Sequence, residues 1–208
     1  MKTIDAAQLV DAALELMESK GTDAISMRAL AKRVDRQVSS LYNHIGSRDE
    51  LIELIRARIV AGIDTSSFAA EAWDIALESW ARSYLAAFAA HPHLIRVLAT
   101  TPIRDISTFE MYNVVIESLV GHGWPIRDAV AVMRTVEAHV LGTALDIVAP
   151  SDMLSQDSVP EELATVRAAL DPEHAVTMSA EAAFELGFEA LMVGLRARRT
   201  AAGTESVV

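Results

Sequence analysis

The sequence predicts an all-α fold, with an N-terminal helix-turn-helix head followed by a larger helical domain. Three observations predict it. Apolar residues recur at helical spacing from end to end, no stretch shows the period-two alternation or β-branched clusters of strands, and capping residues punctuate the pattern at helical intervals. The 208 residues are 51% apolar, enough to build a sizeable core.

The first helix is expected over 5–20, with Val10, Ala13, Leu14 and Met17 on one face and Gly21 as its stop. Ser26 is an N-cap for a helix reaching about residue 34. In it Leu30, Ala31 and Val34 face inward, leaving Arg28, Lys32 and Arg33 outside. A second short helix over 37–44 aligns Val38, Leu41 and Ile45, with Ser39, Ser40, Asn43 and His44 on the other faces and Tyr42 beside them. Two short helices joined by a tight turn have the shape of a unit that enters a DNA groove. Gly46 then stops the chain, and Ser47 with Glu50 forms an S-x-x-E capping box for a helix over 48–63. Polar residues 64–67 are the expected junction, dividing the chain into the head, 1–63, and a second helical domain, 64–200, which the family resemblance given below implies is the ligand-binding and dimerisation domain.

Beyond the junction a long helix over 71–90 carries Trp73, Ala76, Leu77, Trp80, Tyr84 and Phe88 and is ended by Pro92. A short helix over 94–99, one over 105–120 and a turn over 121–125 follow, with Pro125 opening the next helix. The helix over 126–148 is apolar nearly all round, which predicts that it is buried or sandwiched. A polar loop over 150–160, a short helix over 163–170 and a last helix over 179–198 complete the fold, with 201–208 as a disordered tail. The last helix aligns Phe184, Phe188, Leu191 and Leu195, with Gly187 and Gly194 on an adjoining face. Together with Val130, Met133, Val140, Ala144 and Ile147 this seam forms a four-helix dimer interface, or else both helices close their own domain's core. Periodicity does not choose between the two.

Net charge is −11, and it is unevenly placed. Residues 1–58 hold nine basic and nine acidic side chains, so the whole excess of acid lies beyond them. Within 26–58 seven cations face four acids, a modest footprint that leaves DNA affinity dependent on dimerisation and base contacts. The absence of cysteine excludes disulfides, thiolate metal sites and cysteine nucleophiles, and fits a reducing cytoplasm. No signal peptide or membrane span is expected. The sequence contains no G-x-S-x-G elbow, phosphate-binding loop, H-E-x-x-H or dinucleotide fingerprint, so no enzyme, cofactor or metal site is predicted.

Ala12-Ala13-Leu14 with Gly21, the run 26–31, the run Ser40-Leu41-Tyr42-Asn43-His44-Ile45 and Asp49-Glu50-Leu51 together resemble the head of the TetR (tetracycline repressor) family of bacterial transcription regulators. Residues 184–195 resemble the final dimerisation helix of the subgroup closest to the tetracycline repressor itself. One departure is Val34-Asp35-Arg36, where the family usually carries Leu-Gly-Val; aspartate tolerates left-handed backbone, so the turn survives. The resemblance implies that Arg28, Val38, Ser39, Ser40, Tyr42, Asn43, His44 and Arg48 face DNA, although Tyr42 and His44 read equally as packing between helices. It also implies a homodimeric repressor on a near-palindromic double-stranded operator, released by a small-molecule effector. The rival readings are a helical adapter that no longer binds DNA and a helical enzyme without a motif. The candidate effector pocket comprises Trp80, Tyr84, Phe88, Phe109, Tyr112, Met133, Glu137 and His139, aromatic groups with a few polar anchors. Each of these also reads as plain core.

Overall fold

The computed structural model describes residues 4–21, 25–150, 152–174 and 176–205. Among them the chain forms ten α-helices and no strand: α1 Ala6–Lys20, α2 Met27–Arg33, α3 Val38–Leu41, α4 Arg48–Val60, α5 Trp73–Ala89, α6 Pro92–Thr100, α7 Ile106–Gly121, α8 Ile126–Asp146, α9 Ala164–Ala169 and α10 Ala180–Glu205.

Capping chemistry sets the helix boundaries in the head. The Asp5 carboxylate accepts from the Gln8 amide at 2.8 Å while the Gln8 side chain accepts from the Asp5 amide at 3.3 Å, and Gly21, at φ 79°, ends the helix. Ser26 Oγ accepts from the Ala29 amide at 3.1 Å, as its N-cap position predicts. The second short helix is briefer than its sequence pattern. After one turn the Leu41 carbonyl accepts from both His44 and Ile45 amides at 2.9 Å, and 42–44 continue as a turn. Serines and asparagine, whose side chains compete for backbone bonds, give that segment little helical preference. Ser47 Oγ caps the Glu50 amide at 3.1 Å, but the Glu50 carboxylate reaches past Ser47 to the Gly46 amide at 2.7 Å.

Leu9, Ala13, Met17, Leu30, Leu41, Ile45, Leu51 and Ile55 are essentially fully buried and hold α1 to α4 together. In the rest of the chain α5 packs on α8, and α8 packs in turn on α7 and α10. Trp73 and Trp124 meet edge to face at 5.3 Å, joining the start of α5 to the turn between α7 and α8. The expected polar junction is pinned: the Asp64 amide donates to Ser83 Oγ on α5 at 2.9 Å, and Phe68 is buried.

Two expectations are corrected and one is narrowed. The tail predicted to be disordered continues α10 through Glu205, and residues 206–208 lie outside the described residues. Of the two alternatives for α8, buried or sandwiched, the structure shows the second: α8 packs against α5, α7 and α10 and leaves Ala131, Ala138, Gly142 and Leu145 exposed. The predicted dimer seam is internal. Phe184, Phe188 and Leu195 of α10 are buried in the protomer's own core, as are Met133, Val140 and Ala144 of α8, while Leu191 and Ile147 are half-buried and Val130 is exposed on another face. The His139 ring stacks on Phe184 at 5.1 Å and lies over Gly187, where a Cβ would meet the imidazole at 2.6 Å. Gly187 therefore lets α10 approach α8 within one chain. A heptad seam looks the same whether its partner helix belongs to the same chain or another, which is why spacing alone left the choice open.

Asp35, between α2 and α3, is the one non-glycine residue with a left-handed backbone among the described residues, at φ 52°. Replacing Asp35 by Val, whose branched side chain clashes in that conformation, is expected to lower stability by about 1–2 kcal/mol, whereas Asp35→Gly is not. Urea unfolding followed by helical circular dichroism measures the difference.

Candidate functional site

Two candidate surfaces are built on this frame, one on the head and one inside the larger helical layer. Arg28 projects from the start of α2, and Ser39, Tyr42, Asn43 and Arg48 are exposed on α3, the turn after it and the start of α4. Val38, Ser40 and His44 are half-covered in the same segment. Tyr42 is 51% exposed, so it is not a core residue of the head, whereas half-covered His44 has both faces of its role open to it. Arg48 Nε donates to the Ile25 carbonyl at 3.4 Å, tying the start of α4 beneath the entry to α2.

The cations of the head divide by environment. Arg33 pairs with Glu15 and Arg58 with Asp11, both bridging to α1, and Arg56 is buried. Exposed pairs of this kind contribute little stability, but they neutralise two of the seven cations counted in the sequence. Arg28, Lys32 and Arg48 remain exposed around α3. The electrostatic footprint is narrower than the sequence count and is concentrated at the turn-and-helix tip.

The second surface is a half-open cavity of about 610 Å³ lined by α4 to α8, a size suited to a drug-like molecule. Six of the eight residues predicted for it line its wall: Tyr84, Phe88, Phe109, Tyr112, Met133 and Glu137. Trp80 and His139 do not. Trp80 is fully buried behind Tyr84, which it meets edge to face at 5.2 Å, and His139 Nε2 points at the Phe184 carbonyl, 3.1 Å away. Trp80 belongs to the core, one turn before Tyr84, and His139, two residues from Glu137 and so on another face of α8, is half-buried against α10.

Glu137 is the polar centre of this wall. Its Oε1 accepts the hydroxyls of both Tyr84, at 2.8 Å, and Tyr112, at 2.5 Å. Tyr84 also stacks on Phe88, with ring centroids 4.8 Å apart. Burial first, and then the Glu137 charge, pushes both phenols well above the ordinary tyrosine value.

Sequence reasoning missed Arg56, which lines the same cavity. Its guanidinium donates to the Leu98 and Thr101 carbonyls at the end of α6, both at 3.1 Å, and to Glu53 Oε1 at 3.2 Å. The other Glu53 oxygen accepts the Arg104 and Asp105 amides at 2.6 and 2.7 Å, just before α7. Asp105 in turn caps α7 through the Thr108 amide at 2.8 Å; burial opposes its charge, but its bonds to Ser107 and Thr108 hold the carboxyl below its ordinary value. The available signal was an arginine at the register of Ile52, Ile55 and Ile59, on the apolar face of α4.

A helix-turn-helix joined through one helix to a half-open aromatic cavity is the architecture of a bacterial transcription regulator. Residues 9–55 match the family model described as bacterial regulatory proteins, tetR family, and residues 69–199 match the tetracyclin repressor-like C-terminal domain; the chain belongs to the tetR family. It is 26% identical over 143 residues to the HTH-type transcriptional repressor DrrR1 of Streptomyces coeruleorubidus, a match covering 68% of this chain and 53% of that protein, about half its length. Among solved structures it is similar to a TetR variant from Acinetobacter baumannii AYE in complex with minocycline, at 26% identity and TM-score 0.79, covering 95% and 96% of the two chains. It shares its fold with ActR from Streptomyces coelicolor in complex with actinorhodin, at 23% identity and TM-score 0.77, covering 95% and 99%.

The two cavity phenols supply a direct check on the Glu137 geometry. Their folded-state values are raised, so the stability they contribute is complete below about pH 10, the ordinary phenol value, and is lost as pH climbs above it. An alkaline titration followed at the phenolate absorbance is expected to show Tyr84 and Tyr112 unionised until the chain unfolds. Glu137→Leu, which removes the acceptor and its charge, is expected to let Tyr112 ionise earlier.

Proposed function

We propose that the chain is a homodimeric, ligand-responsive transcriptional repressor that acts in the cytoplasm on a near-palindromic operator and is released by a small molecule. The observation that carries this reading is the Arg56 and Glu53 connection. One helix, α4, leaves the helix-turn-helix at Ser47 and, two to three turns on, supplies a cavity-lining side chain that grips the end of α6 and the entry to α7. A molecule that displaces residues 98–105 must move α4, and the head moves with it. The ligand has to bind the two head positions unequally, since equal affinity would shift nothing.

On the head, Arg28 suits bidentate bonding to guanine, Asn43 can read adenine, and Val38 can lie against a thymine methyl. Ser39, Ser40, Tyr42, His44 and Arg48 suit phosphates, fixing register without reading sequence. The boundaries follow: residues 1–63 form the DNA-binding head and 64–200 the effector and dimerisation domain.

The dimer face is the side that one chain leaves uncovered. On α8, Ala131, Thr135, Ala138, Gly142 and Leu145 form an exposed stripe at helical spacing; on α10, Ala183, Leu186, Ala190, Val193 and Ala197 form another. Both are rich in small residues, and a Cβ at Gly142 or Gly194 would meet nothing within 4 Å, leaving room for a second backbone. Two copies paired through these stripes set the two heads for successive major grooves about 34–36 Å apart. Supporting this reading, DrrR1 is a transcriptional repressor by name, and two structures of the same fold hold minocycline and actinorhodin.

An electrophoretic shift on the DNA upstream of the gene is the direct test: binding that weakens steeply with salt is expected, and none at low salt by the dimer sinks the reading. Arg28→Ala is expected to lose about 1–3 kcal/mol of operator affinity, read as a five-fold or greater rise in Kd. Leu186→Glu with Val193→Glu puts four like charges across the face. Analytical ultracentrifugation is expected to give a folded monomer, and operator binding by that variant is expected to disappear.

A further inference from the structure

We propose that Gln37 sets one position of the operator sequence by bonding the N6 and N7 atoms of an adenine, an inference that rests on the reading of the head as the operator-binding surface. Residue 37 opens α3, and the leading residues of such a helix are the ones that meet base edges in a major groove. Three side chains stand there. Val38 is half-covered and has no polar group, and the Ser39 hydroxyl is short and serves more than one base. Gln37 is exposed, and it holds the N-cap position of α3 without capping it: among the described residues its carboxamide has no hydrogen bond. A carboxamide offers an acceptor and two donors side by side, the set that matches the N6 donor and N7 acceptor of adenine together.

The turn before Gln37 holds its backbone in place. Asp35 takes the left-handed conformation, the Arg36 amide then donates back to the Ala31 carbonyl at 2.9 Å, and the Arg36 guanidinium donates to the Asp35 carbonyl at 2.8 Å. From the other side the Gln37 carbonyl accepts the Ser40 amide at 3.0 Å, the bond that starts α3. With the main chain tied on both sides, only the side-chain torsions of Gln37 are left to order on DNA, which keeps the entropic cost of the contact low. Asp35 and Arg36 are also where this chain departs from the usual turn of its family, so the support is particular to this head.

No neighbour duplicates the group. Asn43, the other carboxamide at the tip, lies beyond the far end of α3, in the turn that follows it, and Arg28, at the start of α2, suits guanine. One adenine in each half-site therefore depends on residue 37.

The test is selection of bound sites from randomised DNA by the full chain, wild type and variants in parallel, followed by titration of the selected duplex. The wild type is expected to enrich an adenine at one symmetric pair of positions. Gln37→Glu, whose carboxylate accepts from cytosine N4, is expected to replace that adenine by cytosine and to keep the rest of the site. Gln37→Ala is expected to take any base there, and Asn43→Ala to keep the adenine. Guanine in place of the adenine is expected to weaken wild-type binding at least about five-fold and binding by Gln37→Ala not measurably. The residue 37 variants are expected to keep the helical circular dichroism and the melting temperature, because the side chain is exposed and unbonded. An unchanged site selected by Gln37→Glu, or an equal penalty for guanine in the wild type and Gln37→Ala, overturns this proposal and leaves operator binding standing. A wild-type chain that enriches no site overturns the operator-binding reading and this proposal together.

Discussion

The buried guanidinium of Arg56 is the constraint on which the rest of the structure turns. It is 5% exposed, and removing such a charge from water is tolerable only with its bonds filled. Its partners come from three places in the chain: Glu53 on its own helix, and the Leu98 and Thr101 carbonyls at the end of α6. Carbonyls at a helix end lack partners within their helix, and α4 supplies two donors to that end. Glu53 performs the complementary task for the amides that precede α7. Within an apolar core that runs on from the head into the cavity layer, this contact is polar and directional, and it fixes the seam at one register. A shift of α6 either carries α4 with it or leaves a buried charge unpartnered.

That arrangement lets a head with little net charge be useful. Two of its cations are held by α1 acids and one is buried in the seam, so what remains at the tip is a small cluster around α3. Long-range attraction from such a head is weak, particularly with all the surplus acid in the remainder of the chain. In the proposed dimer, affinity then depends on two heads presented at the correct separation, and weak individual heads make such a complex sensitive to small changes in that separation.

Much of this was legible in the sequence, and the parts that were not share a cause. The helix order, the Ser26 and Ser47 caps, the left-handed tolerance of Asp35 and six of the cavity residues follow from local pattern, because capping, turn geometry and amphipathic spacing are settled within a few residues. Arg56 and Glu53 were invisible because their partners are backbone groups more than 40 residues away, which carry no sequence signature. The seam of Phe184, Phe188 and Leu195 was legible as a seam with its partner left open, because burial by the same chain and by a second copy leave the same imprint. The signal that separates them is the opposite face: Ala183, Leu186, Ala190, Val193 and Ala197 repeat at the same spacing and have nothing over them in this chain.

The all-round apolar character of α8 has a physical explanation once its surroundings are known. At 100° per residue the helix presents three distinct faces. Ala129, Val132, Val136 and Val140 enter the core; Met133, Glu137 and Leu141 look into the cavity; and Ala131, Ala138, Gly142 and Leu145 lie outward on the face assigned to a second copy. A helix with a solvated face would have carried charge there, and this one carries alanine and glycine. One rigid element therefore forms the wall of the cavity and the floor of the face proposed for a second copy. Side chains in a close-packed interior have few intermediate positions, so an occupant that displaces Met133 or Glu137 transmits strain along α8 to the outward stripe as well as through Arg56 to the head. In the proposed dimer the two routes act on the same quantity, the separation of the paired heads, and an occupant of the cavity sits where both begin.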